Sequence, residues 1–303
     1  MALTSIVVGC DLSSSSDLAL ERAIALAEMH KARIVLVNAQ ANDAPIAEVD
    51  NKMLAQLGEV SAAVRVEEAR QLADRLVLIQ ARGVATEIVS RVGPADDILI
   101  AAAAEFAAEL IVLGSHGLTG ISRLLLGSVA AGTIRSSTCD VLVCRGPSTR
   151  AAFQRPLVAT DFSEASTKAL QHAARICSPG APMDVIHAWQ LPAGSWGATL
   201  LGQARFPWST VRDAVLAGAR SQADKLLAEH GKIGNPLNIE LVQGPSATVI
   251  THAAEKNGHD LIAVGAHGHR GVRRLLLGSV AESTIRHSPC SVLDVHGEHQ
   301  HAK

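Results

Sequence analysis

The sequence predicts an α/β protein of two tandem doubly wound domains, each with helices on both faces of a five-stranded parallel sheet. Short apolar, β-branched runs alternate with stretches of helical periodicity, as expected of parallel strands joined by crossover helices. The same order of elements restarts halfway along the 303 residues, which indicates a tandem duplication. A glycine pattern that follows an apolar run occurs once in each half with identical internal spacing.

The first half contains five predicted strands separated by helices. The serines from Ser13 to Ser16 offer an N-cap for the first helix. Gly93-Pro94 followed by two aspartates is typical of a later helix start, because carboxylates there interact favourably with the helix dipole. The predicted strands are 5–10, 33–39, 84–89, 110–113 and 140–144. The predicted helices are 17–30, 59–80, 93–108 and 127–136, and residues 40–58 are expected to form a loop with at most a short helix.

The second half repeats this order in register. Leu157–Asp161 matches Val7–Asp11, and the glycines that follow keep the same separations, Gly93 to Gly114 and Gly244 to Gly265. We predict one domain over 1–146, a linker over 147–154 and a second domain over 155–303. The halves diverge most over 189–209, which holds most of the aromatic residues. Asp294 stands where the first half has Val143, so the last strand could pair differently or face water.

Composition excludes several classes of protein. A hydrophobic share of 48% with 18% charged residues describes a protein with a sizeable core and not a disordered chain. Aromatic residues make up only 2%, which argues against stacking platforms for single-stranded nucleic acid. With a net charge of −2 and no concentrated basic face, no nucleic-acid partner is expected.

The cysteines and the apolar runs indicate location. The five cysteines show neither CxxC pairs nor zinc-like spacing, and several lie beside apolar runs as small buried residues do. We find no apolar span long enough for a membrane and no signal peptide, so a cytoplasmic location is expected.

The chemistry is expected at the repeated glycine pattern. It reads Gly114-x2-Gly117-x9-Gly127-Ser128 in the first half and Gly265-x2-Gly268-x9-Gly278-Ser279 in the second. In each case a buried strand ends, a loop follows, and a helix opens at the Gly-Ser pair. Loop amides and a helix N-terminus together favour phosphate oxygens, so the pattern predicts a phosphate-binding site in each half.

These residues resemble the universal stress protein family in its tandem two-domain form. Nearly the whole chain carries the resemblance: Asp11 and Asp161 after the first strands, the two glycine patterns, the segments Arg123-Leu-Leu-Leu-Gly-Ser-Val and Arg274-Leu-Leu-Leu-Gly-Ser-Val, and the last strands after Thr138-Cys139 and Pro289-Cys290. The resemblance implies an adenine nucleotide α hydrolase-like fold that binds ATP, or else AMP or ADP, with Mg²⁺. It also implies a dimer-like pairing of the two domains, often through their last strands, and a homodimer of chains.

The expected binding residues follow from the strand ends, the glycine pattern and the resemblance. Asp11 and Asp161 would accept from ribose hydroxyls or meet a phosphate-bound Mg²⁺ through water, with no metal ligated by the protein directly. By resemblance, the backbone of Ala39 and of Ala188 would contact the adenine edge. The first-half set is Asp11, Ala39, Gly114, His116, Gly117, Gly127, Ser128, Val129 and Ala130. The second-half set is Asp161, Ala188, Gly265, His267, Gly268, Arg274, Gly278, Ser279, Val280 and Ala281.

Simpler roles remain open for these residues. The glycines could serve only tight turns, the two aspartates could only cap helices, and His116 and His267 could only pack the loop. The second-half loop is richer in basic residues, so we predict that it holds a triphosphate more tightly; they are His267, His269, Arg270, Arg273 and Arg274.

Three functional hypotheses follow. The leading one is a stress-response or regulatory protein that binds ATP in one or both domains. The second is a weak ATPase or autophosphorylating enzyme, although no nucleophile–base constellation is apparent in the sequence. The third is an interaction module whose sites are empty or hold another ligand, with Trp189–Trp208 as its contact surface for a protein partner that the sequence does not identify.

Overall fold

The computed structural model describes residues 2–40, 51–117, 126–146, 152–191, 208–231, 233–266 and 277–296, and for 51–59 and 208 the backbone alone. The chain divides into two compact units, Met1–Ala151 and Ala152–Lys303. The linker proposed for 147–154 overlaps this division; Phe153, near its end, is completely buried in the second unit. Across the described ranges, every helix is too short or too polar to cross a membrane.

The first unit is a five-stranded parallel sheet with the strand order β3-β2-β1-β4-β5. Its elements are β1 (Ser5–Gly9), α1 (Ser14–His30), β2 (Arg33–Gln40), α2 (Asn51–Ala81), β3 (Thr86–Val92), α3 (Ala95–Glu105), β4 (Leu110–Gly114), α4 (Ser128–Ser136) and β5 (Asp140–Cys144).

The second unit repeats this plan with the order β8-β7-β6-β9-β10, again all parallel. Its described elements are β6 (Pro156–Ala159), α5 (Glu164–Ile176), β7 (Met183–Trp189), α6 (Trp208–His230), β8 (Leu237–Gln243), α7 (Ser246–Asn257), β9 (Leu261–Gly265), α8 (Ser279–His287) and β10 (Ser291–Val295). The predicted fold class is therefore confirmed.

The central strands explain why the sequence folds into layers. Ile6, Val7 and Val8 are consecutive in β1 and have no exposed surface. Since successive strand residues point to opposite faces, both faces of the sheet must be covered. The first helix of each unit begins as predicted, with Ser13 and Ser163 as N-caps whose side chains accept from the backbone N–H three residues later.

Several element boundaries differ from the predicted ones. The predicted loop over 40–58 is wrong at its end, because α2 already begins at Asn51. The helix predicted to reach 108 ends at Glu105, where Ala107 adopts a left-handed φ of +47°. β3 extends to Val92 although its final residues are exposed, because it is an edge strand held by its ladder to β2.

The doubt raised by Asp294 is resolved. In β10 it pairs with Val264, in the same register as Val143 pairs with Leu113. Its side chain does not face water, since Asp294 has no exposed surface and its Oδ2 lies 2.9 Å from Nε2 of His296. The last strand thus keeps the pairing of the first unit and pairs its carboxylate with an imidazole.

We predict that Gly265→Ala destabilises the second unit by about 1–3 kcal/mol, because overpacking of a tight contact costs that much. A Cβ at Gly265 would lie 2.8 Å from the backbone carbon of Ala165. The free energy of unfolding, measured by denaturant titration, checks this. Gly218→Ala in α6 is the control: nothing lies within 4 Å of its Cβ position, so it should stabilise by about 0.5–1 kcal/mol. An unchanged midpoint for Gly265→Ala would show that α5 can move away from β9.

Candidate functional site

A cavity of about 260 Å³ lies at the carboxyl ends of β1, β2 and β4 in the first unit. In open α/β sheets this edge is where ligands bind, at the point where the strand order reverses. The lining residues are Gly9, Cys10, Asp11, Ser16, Val37, Ala39, Ala95, Leu99, Leu113, Gly114, His116, Gly117, Gly127, Ser128, Val129 and Ala130. All nine residues predicted for the first-half site are among them. The structure thus brings the whole predicted set together.

Three helices begin at this cavity, since Ser16 of α1, Ala95 of α3 and Ser128 of α4 all line it. The positive ends of their dipoles therefore meet there. α1 is capped by a side chain, and α3 carries two aspartates in its first turn. α4 has neither: its N-cap Gly127 makes no side-chain cap hydrogen bond, and its first turn holds no acidic residue. Its first amides are left with no acceptor in the helix, which favours an anion there.

The turn after β4 is fixed to the start of α4. The N–H of Gly127 donates to the carbonyl of Ser115 at 2.8 Å, and the N–H of Ala131 donates to the carbonyl of Gly127 at 2.9 Å. His116 lines the cavity between these points, and its Nδ1 lies 2.7 Å from Oγ of the buried Ser115. These hydrogen bonds fix the turn relative to α4 and hold His116 in the wall of the cavity.

Asp11 has a capping role in this structure. Its Oδ1 accepts from the N–H of Ser13 at 3.0 Å and from the Ser13 hydroxyl at 2.5 Å. The next residue, Leu12, adopts a left-handed φ of +64°, a conformation that non-glycine residues rarely take. The other oxygen, Oδ2, lies 2.6 Å from the position that a Cβ on Gly117 would occupy. The helix-capping alternative is thus satisfied by Oδ1, and a ribose or Mg²⁺ contact through Oδ2 stays a prediction.

The motif glycines have a packing reason that sequence reasoning missed. A Cβ on Gly114 would overlap Oγ of Ser15 and lie 2.7 Å from the Ser15 backbone. Gly114 therefore allows β4 to approach α1, whatever ligand the cavity holds. The sequence-based explanation, space for ribose and phosphates, fits Gly117 better, since its Cβ would point at Asp11.

Sequence reasoning also missed the apolar wall and Ser115. Val37, Leu99 and Leu113 are buried and line the cavity. Val37 and Leu113 gave no signal because their strands are buried on both faces, and nothing in the sequence distinguished Leu99 from the other buried residues of α3. The serine could have been found from its place inside the glycine pattern, directly before His116.

The second unit repeats part of this geometry. Asp161 accepts from the N–H of Ser163 at 3.0 Å, Phe162 has a φ of +62°, and the N–H of Gly278 donates to the carbonyl of Ala266 at 2.9 Å. The other described members of the predicted set hold the equivalent positions: Ala188 in β7, Gly265 at the end of β9, and Ser279, Val280 and Ala281 at the start of α8. His267, Gly268 and Arg274, like His269, Arg270 and Arg273, lie outside the described residues, so the tighter triphosphate binding of this half stays a prediction.

The comparisons with known proteins agree with this duplicated architecture. The model of the universal stress protein family matches residues 3–145 and again 152–296. The chain belongs to the universal stress protein family. A universal stress protein of Methanocaldococcus jannaschii is 28% identical over 145 residues, which cover 47% of this chain and 82% of that protein.

Solved structures show the same fold. The structure of a universal stress protein from Archaeoglobus fulgidus matches 96% of this chain and 97% of that protein's chain, with a TM-score of 0.63. At 23% sequence identity, this match concerns the fold alone. A universal stress protein solved in complex with cAMP is 30% identical, and the match covers 48% of this chain and 100% of that protein's chain. Its TM-score of 0.36 is too low to support any inference about this chain.

The two sites of this universal stress protein differ beside their first strands. In the first unit, Nδ2 of Asn38 donates to the carbonyl of Cys10 at 3.0 Å. In the second, His187 takes that role, with Nδ1 2.8 Å from the carbonyl of Thr160 and its ring 4.6 Å from that of Phe162. α8 also carries Glu282 in its first turn, at 3.1 Å from Arg286, whereas the first turn of α4 has no acid. The second unit therefore offers a less positive helix start.

No direct metal site is apparent within the described part of the chain, where no group of three or more His, Cys, Asp and Glu side chains could hold an ion. The cysteines are equally poor candidates for chemistry. Burial raises the pKa of the Cys10 thiol, which lines the cavity, and raises the pKa of Cys139 to about 11 and of Cys144 to about 12. Thiols are reactive as thiolates, so these three are structural residues.

We predict that Cys10, Cys139 and Cys144 react slowly with iodoacetamide in the native protein at pH 8. Their raised pKa values leave few thiolates, so labelling should be about 100-fold slower than in urea for Cys139 and Cys144, and slower than in urea for Cys10. A time course followed by peptide mass spectrometry measures each rate. Ala101→Cys, which places a thiol at an exposed position of α3, is the control and should label rapidly under both conditions. Rapid native labelling of Cys10 would contradict the structural role.

Proposed function

We propose that the first unit binds an adenine nucleotide, ATP or else AMP or ADP, in the cavity at the ends of β1, β2 and β4, and that Mg²⁺ accompanies the phosphates. The observation that carries the proposal is the start of α4. It opens on the cavity with neither a side-chain cap nor an acidic first turn. Backbone amides in that state are suited to phosphate oxygens.

The opposite wall of the cavity supports a purine base. Val37, Leu99 and Leu113 supply buried apolar side chains, and Ala39 stands where β2 ends. An apolar wall with a few polar groups is the usual composition of a small-molecule site. The cavity of about 260 Å³ is near the lower end of the usual range of about 300–1,000 Å³. The base would thus lie by the apolar wall and the phosphates at α4.

The free energies of binding show that the start of α4 and the apolar wall are both needed. One helix N-terminus contributes about 0.3–1 kcal/mol toward an anion and about 2 kcal/mol at best. Micromolar affinity requires about 8 kcal/mol. Burial of the base and several amide hydrogen bonds must therefore supply most of the binding free energy, and inorganic phosphate alone should bind far more weakly than ATP.

We extend the proposal to the second unit and to the whole chain. The equivalent positions around Asp161, Ala188 and Gly278 form the second nucleotide site of a regulatory, cytoplasmic stress-response protein. In this proposal the chains associate as homodimers. The nucleotide acts as a ligand that orders the binding loops and, through them, a surface for a protein partner.

We predict that Gly127→Trp removes ATP–Mg²⁺ binding from the first unit, because an indole at the N-cap fills the space before α4. Calorimetric titration of the wild type, Gly127→Trp and the matched Gly278→Trp separates the two sites by stoichiometry and affinity. The same pair tests whether the second unit is the tighter one. cAMP and inorganic phosphate serve as comparison ligands, and thermal unfolding confirms that each variant is folded.

An unchanged titration for Gly127→Trp would refute the first-unit site. Two further outcomes identify the alternatives. ATP turnover above background that disappears in an Asp11→Asn/Asp161→Asn double variant would show a weak ATPase. A wild type that releases no nucleotide on denaturation, and whose melting temperature does not respond to ATP–Mg²⁺, would show an interaction module.

A further inference from the structure

We infer that Ser115 is a positioning residue: its buried hydroxyl fixes the imidazole of His116 so that Nε2 is the nitrogen left for the ligand's phosphates. The inference rests on the proposed function of the first unit and names a residue that acts within that site. It assigns this device to the first unit only, since Ala266 stands at the equivalent position of the second.

The inference rests on the contact between the buried Ser115 hydroxyl and the imidazole of His116. Oγ of Ser115 lies 2.7 Å from Nδ1 of His116, and the serine is only 2% exposed. The Ser115 carbonyl accepts from the N–H of Gly127 at 2.8 Å, which anchors the serine backbone to the start of α4. The serine backbone is therefore fixed, and Nδ1 of the imidazole is bonded to the hydroxyl of a buried residue.

The inference includes the direction of this hydrogen bond: the Ser115 hydroxyl, which is able to donate or accept, donates to Nδ1. A neutral imidazole carries one N–H and one acceptor nitrogen, and the group bonded to one nitrogen decides the state of the other. When the Ser115 hydroxyl donates to Nδ1, the proton of the ring resides on Nε2. His116 lines the cavity, so its Nε2–H then offers a donor beside the start of α4.

The second unit has the same backbone connection without the hydroxyl. Ala266 is also buried, at 1% exposure, and its carbonyl accepts from the N–H of Gly278 at 2.9 Å. The backbone connection between turn and helix is therefore the same in both units. The side chain that orients the imidazole is present in the first alone, which separates its role from that of the backbone.

The test is a double-mutant cycle in the Gly278→Trp background, with ATP–Mg²⁺ affinity measured by calorimetry. Ser115→Ala should weaken binding about 3-fold to 10-fold, the range for one hydrogen bond. Ser115→Thr, which keeps the hydroxyl, should restore most of it. In a His116→Gln variant, Ser115→Ala should add no further loss. Ser137→Ala is the matched control, because that serine is also buried and its hydroxyl bonds with the backbone of Cys139, and it should leave affinity unchanged.

Imidazole ¹⁵N spectra provide the second readout, with His116 assigned by its absence in His116→Gln. The wild type should show a protonated Nε2, and Ser115→Ala should mix the tautomers. An equal loss with and without His116 would show a merely structural serine, and no loss at all would also overturn the inference. If the first unit binds no ATP, the proposed function fails, while the spectra still decide whether Ser115 fixes the tautomer.

Discussion

The first unit depends on the close approach of β4 to the first turn of α1. A Cβ on Gly114 would overlap Ser15, and in the second unit one on Gly265 would lie 2.8 Å from the backbone of Ala165. Because no side chain separates strand from helix, the start of α1 and the turn after β4 share one edge of the sheet. That shared edge is where the cavity of the first unit lies. The first glycine of the pattern is thus required for packing before any ligand is considered.

The two units meet the same packing constraints with different residues. In the first unit, a Cβ on Gly9 would lie 2.5 Å from Cδ2 of Leu113. The absence of a side chain at Gly9 therefore makes room for the large side chain of Leu113. At the equivalent positions the second unit has Ala159, which is larger than glycine, and Val264, which is smaller than leucine. Such exchange conserves core volume and is well tolerated. Since Gly9 and Leu113 line the cavity of the first unit, the exchange changes the residues at the equivalent strand ends of the second unit.

Sequence patterns predicted the central strands and the helix starts because these depend on local chemistry: buried runs such as Ile6–Val8, and a serine cap such as Ser13. They failed where tertiary contacts decide. β3 continues through exposed residues since its ladder to β2 holds it, and α3 stops before a left-handed Ala107 that no sequence pattern marks. The glycine pattern located the polar side of the site. The apolar wall and the orienting hydroxyl of Ser115 became visible only when the chain was folded.

The charges around the cavity restrict what the site can hold. Among the lining residues that the structure describes, none is lysine or arginine, and the carboxylate of Asp11 stands at the rim. Helix dipoles attract a phosphate only modestly, and a bare polyanion beside Asp11 meets repulsion. A divalent cation bound to the phosphates turns this repulsion into an attraction, since the second oxygen of Asp11 can then interact through the ion's water shell. If the proposed nucleotide site is correct, electrostatics favour the magnesium complex of the nucleotide over the free anion.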